Sequence, residues 1–158
     1  MNALILCVGK LKENFWQEAA GEYLKRLQRY GRVQAEEVPD LPEGKGASDA
    51  DRKQIVMKEG EELLGRISPR DHVTALCIDA PQMSSEALAL FLREGENTGR
   101  REVFVIGGSL GLGENVLARA DARLSMSRMT FPHQLARVML LEQLYRGAKI
   151  NAGEKYHK

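Results

Sequence analysis

The chain has 158 residues, enough for one domain with a substantial buried core. Its 43% hydrophobic and 28% charged content excludes a disordered or collagen-like chain. Net charge is only +1, yet residues 119–158 carry eight Lys and Arg against three acids (+5) while the remainder carries 15 against 19 (−4), which points to a polyanionic partner near the C-terminal segment.

In chain order, Asn2–Val8 is a continuous apolar run ending at Gly9, the pattern of a buried parallel strand. Lys12–Tyr30 repeats Phe15, Trp16, Ala19, Ala20, Tyr23, Leu24 and Leu27 at helical spacing, and Gly31 stops it. Val33–Val38 reads as a second strand, partly exposed because Glu36 and Glu37 interrupt it. Residues 39–48 hold Pro39, Pro42, Gly44 and Gly46 and form a loop. Ser48 is placed to cap the next helix, with Asp51 completing a capping-box pattern, and that helix runs to about Leu64. Val73–Asp79 is a third strand, Asp79–Gln82 a turn, and Ser84 or Ser85 opens a helix to about Asn97. Val103–Ile106 is a fourth strand, Gly113–Ala120 a short helix, Arg123–Met126 a short fifth strand, and Pro132–Ile150 a long final helix. Strand and helix alternate, so the expected fold is α/β with a mainly parallel sheet and helices on both faces, one domain spanning 1–158. No run approaches the roughly 20 apolar residues of a membrane helix, and the opening run is too short and lacks the basic leader of a signal peptide. A reducing cytoplasm is the expected compartment. Cys7 and Cys77 lie far apart in apolar runs, as buried inert thiols would.

The final helix places Leu135, Val138, Met139, Leu140, Leu141, Leu144, Tyr145 and Ala148 over more than one face. Packing on a sheet needs only one, so a second copy of the chain is expected to cover the rest.

The chemistry-bearing text lies between residues 102 and 150. Gly107, Gly108, Gly111 and Gly113 follow a strand and open a helix, where missing Cβ atoms let the backbone approach a ligand. A phosphate loop would need a lysine where Glu114 stands, and the dinucleotide pattern fails at Val116, so nucleotide phosphates are poor candidates. A second side-chain-poor loop, Ser127-Arg128-Met129-Thr130-Phe131-Pro132, offers backbone groups suited to an adenine edge, with Thr130 as the plausible helix-capping oxygen. Two such loops make a cradle for a flat, weakly charged ligand. His133 lies in the first helical turn, where the helix dipole favours the neutral imidazole. His72, His133 and His157 are not at metal-ligand spacing, so no metal is expected, and no Gly-x-Ser-x-Gly elbow marks a hydrolase.

Val105-Ile-Gly-Gly-Ser-Leu-Gly-Leu, Leu124-Ser-Met-Ser-Arg-Met-Thr-Phe-Pro-His, Arg137-Val-Met-Leu-Leu-Glu-Gln-Leu-Tyr-Arg and the closing Tyr156-His157 together resemble the RlmH family of small ribosomal RNA methyltransferases, in the SPOUT superfamily. The resemblance runs the full length. It implies a deep C-terminal trefoil knot, a homodimer, S-adenosyl-L-methionine as cofactor, and methylation of N3 of a pseudouridine in large-subunit ribosomal RNA, on the assembled ribosome. It implies cofactor contacts at Leu76, Gly107, Gly108, Ser127, Arg128, Met129, Thr130, Phe131 and Pro132. Arg137, Arg146, Tyr156 and His157 would face the RNA, with Arg146, Tyr156 and His157 ordering the reaction. His157 and Glu142 are the candidate bases by type, and Arg146 could instead lower the pKa of the imide. Two rivals stay open: a related enzyme acting on another RNA such as transfer RNA, and a catalytically silent RNA-binding module.

Overall fold

The computed structural model describes residues 1–158. Five strands form its centre: β1 (Asn2–Val8), β2 (Arg32–Val38), β3 (His72–Leu76), β4 (Glu102–Ile106) and β5 (Ala122–Leu124). All pair in parallel, in the order β2-β1-β4-β3-β5. Five helices alternate with them: α1 (Asn14–Leu27), α2 (Asp49–Leu64), α3 (Ser85–Thr98), α4 (Glu114–Arg119) and α5 (His133–Asn151).

Strand alternation divides the core in two. Ala3, Ile5 and Cys7 of β1, with Phe104 and Ile106 of β4, face α1, α3 and α5. Leu4, Leu6 and Val8, with Val103 and Val105, face the side of α2 and α4. Both faces of β1 and β4 are therefore covered, which is why these strands read as unbroken apolar runs. The fold expected from the sequence, α/β with a parallel sheet and helices on both faces, is the fold observed. No helix is long and apolar enough to cross a membrane.

The element ends differ in instructive ways. The Ser48 hydroxyl accepts the Asp51 N–H at 3.2 Å and the Asp51 carboxylate accepts the Ser48 N–H at 2.8 Å, so α2 begins with a full capping box. Strand β5 stops at Leu124 rather than Met126, because the Ser125 N–H is taken by the Pro81 carbonyl at 2.8 Å. Strand β3 ends at Leu76 rather than Asp79, and the chain then turns through Pro81. Helix α1 ends at Leu27, short of Tyr30.

Helix α5 lies between α1 and α3 on one face of the sheet. Leu140, Leu141 and Leu144 have no exposure, and Tyr145 packs against Tyr23, Tyr30 and Tyr156. Much of its wide apolar surface is thus covered within one chain, while Leu135, Val138 and Met139 stay partly exposed. Two flanking helices do that covering, so the breadth of the pattern does not by itself require a second copy.

Cys7 is buried in the core, and burial pushes its thiol up to about 12, against a smaller opposing pull from the Arg137 cation. The thiolate is the reactive form, so at pH 8 only ~10⁻⁴ of the folded population carries it. Iodoacetamide at pH 8 should leave Cys7 unmodified in the native protein and alkylate it in denaturant, as peptide mass spectrometry would read. The raised value also sets a sign. The contribution is present below the ordinary thiol range and is lost as pH climbs from there towards about 12.

Candidate active site

Strands β3, β4 and β5 are parallel, so their carboxyl ends share one edge of the sheet, where ligand crevices of open α/β sheets lie. The chain leaves β4 into residues 107–113 and β5 into residues 125–132. Both segments wall one cavity of about 730 Å³. Leu76, Gly107, Gly108, Ser127, Met129, Thr130, Phe131 and Pro132 all line it. Of the expected cofactor residues only Arg128 does not; its side chain lies outside, beside Ile78, Asp79 and Gln82.

Local chemistry fixes both segments. A Cβ on Gly107 would sit 2.5 Å from the Gly111 carbonyl oxygen, so the first loop closes on itself only because that position is glycine. The Gly111 N–H donates to the Gly108 carbonyl at 3.1 Å and completes the turn. In the second loop the Ser125 hydroxyl donates to the Ser127 carbonyl at 2.8 Å, and the Ser127 hydroxyl accepts the Met129 N–H at 3.0 Å. Thr130 does not cap α5. The cap position is Pro132, and no side chain closes it, because Pro132 sets the helix entry and carries Thr130 back along the loop. The first-turn amides of α5 therefore end at the cavity uncapped, next to His133 and Gln134.

No Lys or Arg side chain lines the cavity. His133 does, and burial is the main force lowering its basicity, with the Arg137 cation second and Asp40 opposing. The imidazole is neutral at neutral pH, as expected, although burial rather than the helix dipole is the leading cause. Its Nδ1 has no hydrogen-bond partner. Asp40 approaches from the β2–α2 loop, its carboxylate 3.5 Å from where a Gly108 Cβ would lie. Behind it Glu59 is buried and accepts the Leu41 N–H at 3.2 Å; desolvation raises its carboxyl above the usual range. A neutral, apolar-walled cleft of this kind suits a nucleoside without phosphates.

Arg137 departs from expectation. It is 2% exposed, its guanidinium donating to the Gly9 carbonyl at 2.9 Å and pairing with Glu37. Sharing a face with His133 aims it at the β1–α1 turn, so it ties α5 to the sheet and presents nothing to a phosphate. In the same basic segment Arg123, Arg128, Lys155 and Lys158 stay exposed.

The C-terminal tail is docked. Glu142 is its hub: Arg146 Nη2 donates at 2.6 Å, Tyr156 Oη at 3.1 Å and Gln143 Nε2 at 2.7 Å. The Arg146 guanidinium lies 4.8 Å over the Tyr156 ring. Burial and the neighbouring Glu142 carboxylate push the Tyr156 phenol up to about 12, so it stays a donor. His157 Nε2 meets Glu86 at 2.7 Å, and its Nδ1 faces Arg146 Nη1 at 3.4 Å. Glu86 only accepts and Arg146 only donates, which assigns the proton to Nε2. None of Arg146, Tyr156 and His157 lines the 730 Å³ cavity.

Sequence reasoning missed Ile106, Leu112, Leu117, Leu124 and Met126 as cavity walls. Their signal was present, because residues at the carboxyl ends of parallel strands are the usual walls. Asp40 and Glu59 had no such signal, since only the folded loop brings them in.

A family model described as "Predicted SPOUT methyltransferase" matches residues 1–157. Two proteins named ribosomal RNA large subunit methyltransferase H, from Exiguobacterium sp. strain AT1b and from Carboxydothermus hydrogenoformans, are each 47% identical over 159 aligned positions, covering all of both chains. Among solved structures, a methylase family protein from Neisseria gonorrhoeae superposes with a TM-score of 0.56 at 12% identity, over 91% of this chain and 81% of that one.

Proposed function

The chain belongs to the SPOUT methyltransferase family, and we propose that it methylates N3 of a pseudouridine in large-subunit ribosomal RNA, using S-adenosyl-L-methionine, as a cytoplasmic homodimer acting on assembled ribosomes. The observation that supports this most is that the two loops quoted in the family resemblance close on one phosphate-averse cavity, with the 47% identical relatives named as large-subunit ribosomal RNA methyltransferases. The knot belongs to the same proposal, as does the action of residues 1–158 as one methyltransferase domain.

The residues fit the cofactor. Gly107 lets the first loop close beside the cavity, where a Cβ would meet the Gly111 backbone, the 127–132 loop offers amides and carbonyls for an adenine edge, and Leu76 supplies an apolar floor. When bound, S-adenosyl-L-methionine would supply a sulfonium-activated methyl carbon for transfer to N3. The protein's own part is alignment, which supplies most of the rate in such displacements. The N3 proton leaves to a base or to water. Glu142 is already engaged by three side-chain donors, and His157 directs its free ring nitrogen at Arg146, so the docked tail favours positioning and electrostatics over strong base catalysis.

Incubation with methyl-labelled donor and ribosomes, isolated subunits or transfer RNA tests the reading. Label should appear on a base of large-subunit RNA, located by mass spectrometry of the digest. Label on transfer RNA or on a ribose 2′-oxygen would establish the first rival. Absence of donor binding in calorimetry would establish the silent module.

A further inference from the structure

A second cavity, of about 460 Å³, opens between the start of α3 and the side of α5. It shares Leu124 and Met126 with the first cavity, so the two are neighbours across one wall. Its polar residues are Ser84, Ser85, Ser125, Glu142 and Gln143. The tail residues expected to face RNA reach this cavity rather than the first, through Glu142.

The Gln143 amide is oriented from both ends. Ser85 Oγ donates to its oxygen at 2.7 Å, and its nitrogen donates to Glu142 Oε2 at 2.7 Å. A carboxylate cannot donate, so the amide cannot flip without losing that bond. One N–H and one oxygen lone pair of the amide remain unused. Arg146 and Tyr156 hold Glu142 in place and so act as positioning residues for the amide.

We propose that the second cavity receives the target pyrimidine and that Gln143 selects it by pairing with an N1–H and C2=O edge. This rests on the pseudouridine reading above. A C5-linked nucleoside carries hydrogen on N1 beside the C2 carbonyl, the complement of the free half of the amide. An N1-linked uridine has its ribose there and offers no such edge. Pairing on that edge leaves N3 uncovered and free to face the wall shared with the donor cavity. That wall includes Met126, an unbranched side chain able to change rotamer.

The test compares ribosomes carrying pseudouridine or uridine at the target position. Gln143→Met should lower kcat/KM on pseudouridine ribosomes roughly tenfold to a hundredfold and leave the uridine value unchanged. Calorimetric affinity for the methyl donor should stay at the wild-type value. A merely structural Gln143 would lower both substrates equally, and an unchanged selectivity ratio overturns the proposal. A second readout needs no variant: with methionine methyls labelled, free pseudouridine nucleoside should shift the Met126 and Met139 signals of the wild-type protein more than uridine does. Equal shifts overturn the proposal even if Gln143→Met fails to fold. Wild-type protein that methylates neither ribosome sinks the underlying reading and this inference with it; wild-type transfer with an unaltered ratio in the variant sinks the inference alone.

Discussion

Gly107→Ala is expected to abolish measurable binding of the methyl donor while the chain still folds. The added Cβ would lie 2.5 Å from the Gly111 carbonyl oxygen and 2.6 Å from its carbon. Both are backbone atoms of the same loop, so no rotamer change relieves the contact. The loop must open, and the Gly111 to Gly108 hydrogen bond at 3.1 Å opens with it. Overpacking of this kind costs about 1–3 kcal/mol of stability. For a chain of this size that lowers the melting temperature by roughly 3–10 °C, short of unfolding at 25 °C. Gly108→Ala is the control. Its Cβ would meet Val8 Cγ1 at 3.1 Å and Asp40 Oδ1 at 3.5 Å, side-chain atoms able to give by a few tenths of an ångström. Calorimetry should show Gly108→Ala binding the donor within about tenfold of wild type, a difference of about 1.4 kcal/mol. Wild-type affinity in Gly107→Ala would mean that the first loop takes no part in the site.

The loop around Gly107 was legible because its information is local. Strand Val103–Ile106, the glycines after it and the start of α4 stand in one short stretch, and each residue constrains its neighbour. The capping box at Ser48 and Asp51 is legible for the same reason. What the pattern did not carry is whatever depends on distant chain. Nothing in Val103–Ile106 says that β4 pairs with β1 on one side and β3 on the other. Nothing in Pro132–Ile150 says that α1 and α3 flank α5, so the pattern alone does not show how much of its apolar surface is covered within the chain. Glu154-Lys-Tyr-His-Lys has the composition of a frayed end, yet Tyr156 and His157 find Glu142 and Glu86 across the fold. The candidate site follows this division. Its loops were visible as loops, whereas Asp40, Glu59 and the second cavity arise only from the meeting of separate segments.

Arg137 shows how far such a meeting can reverse a reading, and Arg137→Met should lower stability without weakening the salt dependence of ribosome binding. A basic residue on a helix next to a ligand cleft is ordinarily a phosphate contact, and Lys or Arg is seldom fully buried without a partner. Here the partner is a backbone carbonyl. Gly9 follows β1 directly, its N–H bonded to the Val38 carbonyl at 2.9 Å, and its own carbonyl is served by Arg137. Methionine preserves the length of the side chain and fills most of the space, but leaves that carbonyl unpaired and Glu37 without its cation. Glu37 keeps a third of its side chain in solvent and can rehydrate. The cost is therefore at the lower end for a broken buried pair, about 2–4 kcal/mol. A phosphate contact would announce itself otherwise. Its removal lowers the slope of log affinity against log salt by about one, and leaves melting unchanged. Arg128, exposed on the second loop, is expected to behave in that second way when changed to methionine. Melting curves and a salt series of ribosome affinities on the two variants separate the roles. A folded Arg137→Met with wild-type melting and a slope reduced by about one would return Arg137 to the RNA-facing surface.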